Sequence, residues 1–457
     1  MKNTLLTMMV IFLGFSSSTA KAQSGINGKF TLVEAQNYAL EHSYSVKGTD
    51  YDLQVAKKKV WETIADGLPQ IDATADYNNN LKLSLSPLPI EFANVIRTLN
   101  GEPTSDEPLF VSFAQKYSSS ATITVNQKIF DGAYIVGTMA AKVFVQLSKD
   151  QKEKSEIEIK DAVAQAYFNV LIAEDNYKTI EENLHINEKL LRETDAYYQN
   201  GFREELDVDQ IRLNLNTTKN QLSDAKRAIQ TSLIVLKFTM GMDIDEAITL
   251  ENRLSELVDP IRAKDPVISS YDISNHIDFR TIQTQLEAQS LVIKSEQAAY
   301  LPTISAFYSY GKNTSTDNSN VFKSSVPWFE SSMVGFKLDL PIFSAGKRRS
   351  KIKQERLNYM KLENSQHEIE QNLKKELTLS FSNLMNAREK YENDVEGREI
   401  AKRIYDRTRI KFNEGISTST ELSENEKQYL DSHTAYINST LQLLNSKIAF
   451  DKALGKL

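Results

Sequence analysis

The chain has 457 residues, no cysteine and a formal charge of −7. The missing cysteine excludes a disulfide scaffold, a thiolate metal site, a cysteine nucleophile and a lipidated N-terminal cysteine. The acidic balance argues against a nucleic-acid partner, because phosphate binding needs a basic surface. A mean hydropathy of −0.41 argues against a bundle of membrane-spanning helices.

The N-terminus reads as a secretory leader. Lys2 supplies a short positive start, and Leu5 to Phe15 is an apolar run of eleven residues, too short to span a bilayer as a helix. Ala20-Lys21-Ala22 is a small-residue cleavage site, so cleavage between Ala22 and Gln23 is expected over the alternative of an uncleaved anchor. Loss of Lys2 and Lys21 takes the charge to −9. The remaining chain carries no apolar helix long enough to cross a membrane. It could still reach one as β-strands, which hydropathy detects poorly.

Proline and glycine then divide the chain. Residues 109–259 and 342–457 contain no proline, and tracts that long, rich in Glu, Lys, Gln, Leu and Ala, read as long helices. Gly132, Gly201 and Gly241 in the first tract lie 214 positions before Gly346, Gly415 and Gly455 in the second. Three coincidences at one offset indicate an internal duplication. Leu68-Pro69-Gln70-Ile71 is matched by Leu301-Pro302-Thr303-Ile304, and Ile129-Phe130-Asp131 by Ile342-Phe343-Ser344. The proline-to-glycine interval is 63 residues in the first copy and 44 in the second. The excess falls in the proline-rich stretch from Leu85 to Phe113, whose composition is that of a loop.

Between each of these prolines and glycines the period shortens to two. Ile71, Ala73, Ala75 and Tyr77 alternate with Asp72, Thr74 and Asp76. Ile123, Val125 and Gln127 alternate with Thr122, Thr124 and Asn126. Ile304, Ala306, Tyr308 and Tyr310 share one face, as do Val334, Phe336, Leu338 and Leu340. The expected strands are 70–78, 119–129, 303–310 and 333–340. Each is long enough for a tilted transmembrane strand, but two soluble hairpins packed on the helices would show the same alternation.

Helices are expected at 132–200 and 346–414, with returning helices at 204–239 and 418–452. Each glycine-to-glycine span of 69 residues would be roughly 100 Å long as a straight helix, which cannot fold back into a compact domain. Ile369, Leu373, Leu377, Phe381, Leu384 and Tyr391 step by three, four and seven, a coiled-coil seam rather than a broad core-facing wall. Four membrane strands cannot close a barrel, and in hydrocarbon every strand edge must be paired. Strands that span a membrane would therefore require oligomerisation to a multiple of four strands.

These features resemble the TolC-like outer-membrane efflux protein family over about residues 30–457. The resemblance is carried by the duplication, the Leu-Pro before each first strand, and the run Pro341-Ile342-Phe343-Ser344-Ala345-Gly346-Lys347-Arg348-Arg349. Asn200-Gly201 with Leu206-Asp207-Val208, and Glu414-Gly415 with Thr420-Glu421-Leu422, add to it. It implies a mainly α fold with a small β part: a homotrimer with a long α-helical periplasmic barrel and a 12-stranded outer-membrane β-barrel, four strands per chain. The first repeat would be 23–242, the linker 243–272 and the second repeat 273–457, with segments 79–118 and 311–332 outside the cell. The acidic stretch joining the copies would pack around the middle of the helical barrel.

The resemblance further implies a passive exit duct. It would work with a periplasmic adaptor (membrane fusion) protein and an inner-membrane pump of RND or ABC type, in contact with outer-membrane lipid. Gly201 and Gly415 would mark the periplasmic tip, with Leu206, Val208, Thr418 and Leu422 as further tip and adaptor-contact residues. Glu421 and Glu424 are three apart, so on a helix both point the same way. Three copies around an axis would make two rings of negative charge that favour cations. Asp207 and Gln210 are the first-copy equivalents and carry less charge, whereas the bland reading of Glu421 and Glu424 is two solvated glutamates on a charged helix. Tyr198 and Arg203 are expected to take part in a closed-state lock. Phe412 and Ser417 stand at the matching offsets of the second copy, and Phe412 has no hydroxyl to donate, which implies a looser or differently organised lock.

His42, His185, His276, His367 and His433 show no metal-ligand spacing and read as surface or packing histidines. No Walker loop, nucleophile elbow or paired catalytic carboxylate occurs in a suitable context, so no enzyme and no cofactor is expected. The alternative to a duct is a secreted or periplasmic coiled-coil structural protein. An envelope hydrolase has no site to support it.

Overall fold

The computed structural model describes residues 28–264, 266 and 271–457. The expected leader and its expected cleavage site at Ala22 and Gln23 lie outside the described residues. The described chain opens with β1 (Lys29–Phe30), α1 (Leu32–His42) and α2 (Tyr44–Ala65). Thr31 and Glu34 form a reciprocal capping box at the start of α1, and the Ser43 hydroxyl caps α2 by accepting the Val46 N–H. These side chains satisfy backbone donors that have no partner inside the helix.

After β2 (Gln70–Asn79) come β3 (Ser86–Pro87), α3 (Ile90–Leu99), β4 (Phe110–Val111) and β5 (Tyr117–Phe130), then α4 (Gly132–Gln199) and α5 (Glu205–Met240). The junction between the copies contains β6 (Thr249–Leu250) and α6 (Leu254–Ala263). The second copy is α7 (Ile277–Ala298), β7 (Thr303–Thr316), β8 (Phe329–Asp339), α8 (Lys347–Asn413) and α9 (Ser419–Ala453). The 68 residues of α4 and the 67 of α8 make rods of roughly 100 Å.

The four long strands form one antiparallel sheet in the order β2-β5-β7-β8. Ile71, Val125, Tyr308 and Val334 stand opposite one another across it, while the neighbouring row on the other face is Asp72, Thr124, Ser309 and Met333. One face is thus mainly apolar and the other mainly polar. Both outer strands, β2 and β8, are exposed along most of their length and have no partner on their outer edges among the described residues.

The strands run beyond the limits that alternation sets. β5 and β7 stay paired from Tyr117↔Thr316 onward, so β7 continues six residues past 310, and β8 starts at Phe329 rather than 333. The added residues include Ser118, Asn313, Thr314 and Ser315. A ladder needs only backbone donors and acceptors, so pairing persists where the apolar signal stops. The 14 residues of β7 span roughly 46 Å, more than the thickness of a bilayer's hydrocarbon.

The proline-rich insertion is not a bare loop. It holds α3 and the β3–β4 ribbon, clipped by the buried Arg97 guanidinium, which donates to the carbonyls of Ser105 and Glu107 at 2.7 Å each. The junction is likewise more ordered than its composition suggests, since α6 runs through Pro260. Leu254, Leu257, Val258 and Ile261 pack on the main core, and that burial outweighs the hydrogen bond proline removes. Arg262 ties α6 to Glu392 on α8 with bonds of 2.7 and 2.8 Å.

The helices pair as two antiparallel hairpins, α4 with α5 and α8 with α9, with α2 and α7 packed along α4. The main core, around Val163 to Leu171, Leu236, Met240, Leu377 to Tyr391 and Leu443 to Phe450, lies in the part of the hairpins away from the tips. A separate small cluster closes the tip: Leu190, Ile211, Tyr405, Phe412 and Leu422. Among the described residues no helix is long and apolar enough to cross a membrane.

Candidate functional site at the helical tip

The two hairpin turns are built alike. Gly201 and Gly415 take φ of 80° and 75°. Around them Phe202 N–H bonds Tyr197 O at 2.9 Å and Ile416 N–H bonds Lys411 O at 2.8 Å. This is the six-to-one closure of a helix ended by a left-handed residue, a conformation that glycine adopts without penalty. The return helices start differently. Thr418 caps α9 by accepting the Glu421 N–H at 3.2 Å, whereas Glu204 before α5 makes no side-chain cap bond.

Phe412 is 1% exposed and is the hub of the tip. The guanidinium of Arg203, from the other hairpin, stacks 4.0 Å above its ring and donates to its backbone carbonyl. Arg203 also pairs with Asp207 at 3.8 Å. The contact between the hairpins is therefore made without the hydroxyl that position 412 lacks, through the ring and carbonyl of Phe412. Tyr198 stands apart from it. Its ring is exposed, and among the described residues its hydroxyl makes no hydrogen bond.

The four candidate gate residues divide in two. Glu421 and Glu424 are both exposed. Ser417 Oγ donates to Glu421 Oε2 at 2.6 Å, and the first turn of α9 adds its positive end, so the Glu421 carboxylate is held in place. Glu424 lines a groove of about 550 Å³ between α5 and α9 with Thr217, Gln221 and Lys427. Asp207 is half-buried and paired with Arg203, and Gln210 donates to Asn214 Oδ1 at 3.4 Å. Of the four candidates, the two carboxylates without an ion pair among the described residues are thus those on α9.

Two residues expected at an adaptor contact are inside the protein. Val208 is 3% and Leu422 0% exposed, because both belong to the inward stripe of their helices. Leu206 and Thr418 are exposed, and so are Phe202 and Ile416, which follow the two tip glycines. Phe202, Leu206 and Ile416 give the tip an apolar surface.

Above the tip cluster lies a polar layer. Glu426 is 5% exposed. Its Oε1 accepts from Asn183 and Asn187 at 2.6 Å each, and its Oε2 from Asn214 at 3.1 Å. Burial pushes its carboxyl above the usual range, against these three bonds. His433, seven residues on, is 2% exposed, and both ring nitrogens lack a partner. Burial, with the nearby Arg398 charge, lowers its pKa to about 4.

That depression makes the fold acid-sensitive. The unfolded chain protonates His433 near its ordinary pKa of about 6.5 and the folded chain does not. The stabilisation is therefore complete above pH ~6.5 and is lost as pH falls toward ~4, on the order of 3 kcal/mol in all. Unfolding temperature should fall across that window more steeply in the wild type than in His433→Leu. Parallel curves would show that His433 is not the titrating group.

The Glu426 layer is the part of the site that motif reading misses. Its signal is positional: Leu422, Glu426, Tyr429 and His433 follow the three-and-four spacing of an inward stripe. Among the described residues no group of three His, Asp or Glu side chains could hold a metal ion.

Comparison with known proteins places this geometry. The family described as outer membrane efflux protein matches residues 36–242 and 271–456. The outer membrane protein TolC of Vibrio cholerae is 20% identical over an aligned length of 462 residues, covering 100% of this chain and 96% of that one. The pyoverdine export outer membrane protein OpmQ of Pseudomonas aeruginosa is 22% identical over 367 residues, 78% of this chain and 72% of its own. The CmeC outer membrane channel of Campylobacter jejuni has the same fold, with a TM-score of 0.66 at 18% identity, covering 93% of this chain and 85% of that one.

Proposed function

Because the chain belongs to the outer membrane efflux protein family, we propose that it is the exit duct of a tripartite efflux or type I secretion system. In this reading a pump of the RND or ABC type feeds it through a periplasmic adaptor. Members of the family are outer-membrane channels and not enzymes, and this chain is accordingly an outer-membrane protein with its helices in the periplasm.

The sheet supports the duct reading most directly. It has one apolar face and two open edges. In hydrocarbon an unpaired backbone group costs several kcal/mol, about as much as a lost hydrogen bond or more. β2 and β8 run in opposite directions, so β8 of one copy can pair with β2 of the next as an ordinary antiparallel ladder. Three copies then close twelve strands with no free edge, and the hairpins continue the wall into the periplasm. The apolar tip surface at Phe202, Leu206 and Ile416 suits an adaptor.

In this assembly Glu421 and Glu424 form two acidic rings at the narrow end, raising cation concentration there and repelling anions. The double variant Glu421→Ala, Glu424→Ala is expected to reduce cation preference in planar-bilayer recordings of reversal potential. Unchanged selectivity would remove these residues from the pore.

A further inference from the structure

We propose that Glu426 is a tie between the two helical hairpins of a protomer, set two turns above the tip, and that releasing it frees the tip to open. The second half of this statement rests on the reading of the tip as the closable end of a duct.

The hairpins are each tightly packed within themselves but touch one another mainly through α9. At the level of the polar layer, the hydrogen bonds from one hairpin to the other converge on this side chain and its neighbours. Asn183 and Asn187 on α4, and Asn214 on α5, all donate to the Glu426 carboxylate. Asn214 also donates to Ser423 at 2.7 Å, and Tyr405 on α8 donates to Asn183 Oδ1 at 3.3 Å. One carboxylate thus joins α4, α5 and α9 directly and α8 through Asn183.

No cation is paired with Glu426 among the described residues, so the amides alone compensate its charge. A buried carboxylate is stable only while such donors stay in place. A seam leucine would hold the helices as firmly or more so, and in any nearby register. The carboxylate works in one register only. If α9 moves by a fraction of a turn, the three amides are lost together, and water must replace them. The contact therefore has a held and a released position rather than a continuum.

The layer is also placed to separate two packed regions. Below it lie Leu190, Ile211, Phe412 and Leu422 of the small tip cluster, Tyr405 reaches the layer through Asn183, and the main core is a separate cluster farther from the tip. The duplication does not demand this carboxylate: the first-copy position is Arg212, an exposed residue paired with Asp209 at 3.1 Å. The tie belongs to the second hairpin alone.

The test is hydrogen–deuterium exchange of the full-length, detergent-solubilised protein as wild type, Glu426→Leu and Glu426→Gln. Leucine fills the volume but strands three amides. Glutamine keeps the oxygen that receives Asn183 and Asn187 and disturbs only the Asn214 side. Segments 197–208 and 411–422 are expected to exchange about tenfold faster or more in Glu426→Leu, and by an intermediate factor in Glu426→Gln. Segment 163–173 in the main core should be unchanged. Unchanged tip exchange, or uniform acceleration that includes 163–173, overturns the proposal. If Glu426→Leu does not assemble, Glu426→Gln and Asn214→Ala carry the same comparison. Single-channel conductance separates the two readings: it should rise with tip exchange. Faster tip exchange at unchanged conductance would leave the tie standing and overturn the gate.

Discussion

Arginine in place of Val334 is expected to abolish assembly in the membrane, while arginine in place of Ser309 is expected to be tolerated. Val334 is 73% exposed in the single chain and lies in the middle of β8, in one row with Ile71, Val125 and Tyr308. If that face meets lipid, an arginine at mid-depth costs about 2–4 kcal/mol per strand. Threefold symmetry puts three at one depth, or about 6–12 kcal/mol per assembly, comparable to the whole stability of a typical domain. Ser309 is on the opposite face, in one row with Asp72 and Thr124, where a water-filled interior would solvate the charge. Membrane fractionation and the mobility of unboiled samples on SDS gels report the outcome. Were the hairpins soluble, neither position would meet lipid, and equal behaviour of the two variants would contradict a lipid-facing sheet.

Phe412→Ala is expected to open the tip. The side chain is 1% exposed and packed with Leu190, Ile211, Tyr405 and Leu422. Truncating a buried phenylalanine costs about 3–5 kcal/mol, and losing the ring under Arg203 adds ~0.5–2 kcal/mol. The loss falls on a cluster separate from the main core, so it should appear as local opening, not global unfolding. Proteolysis within 197–208 and 411–422 should accelerate about a hundredfold or more, at ~1.4 kcal/mol per decade. Arg203→Ala, which spares the packing, should have a smaller effect. A protease-resistant tip in Phe412→Ala would show that this cluster does not hold it closed.

Much of the fold was legible because glycine and proline are read locally. Gly201 and Gly415 end helices through their own backbone conformation, and the shared offset of 214 residues exposes the duplication without any tertiary information. The alternation in 70–78 and 333–340 survives because a sheet with one apolar face imposes period two on its side chains. Elements that depend on distant contacts were not legible. α6 persists through Pro260 because four apolar side chains meet the main core, and α3 forms within a proline-rich insertion because Arg97 clips the segment after it.

The candidate site divides along the same line. The spacing after Gly415 put Glu421 and Glu424 on the first turns of α9, and both are exposed there. The burial of Val208 and Leu422 was not, because on a helix the distinction between exposed Leu206 and buried Val208 depends on the phase of the stripe relative to the partner helices. Glu426 and His433 were hidden for a related reason: their residue types suggest solvent, and only the packing of four helices makes them interior. Phe412, at a position where a hydroxyl was missed, holds Arg203 of the other hairpin through its ring and its backbone carbonyl, the latter a group that no side-chain inventory records.

The claim that the edges of the sheet are closed by further copies of the chain is tested most directly by native mass spectrometry of the protein extracted from envelopes. The expected result is release by detergent only, and a particle with the mass of three chains. A soluble single chain freed by osmotic shock would contradict the account.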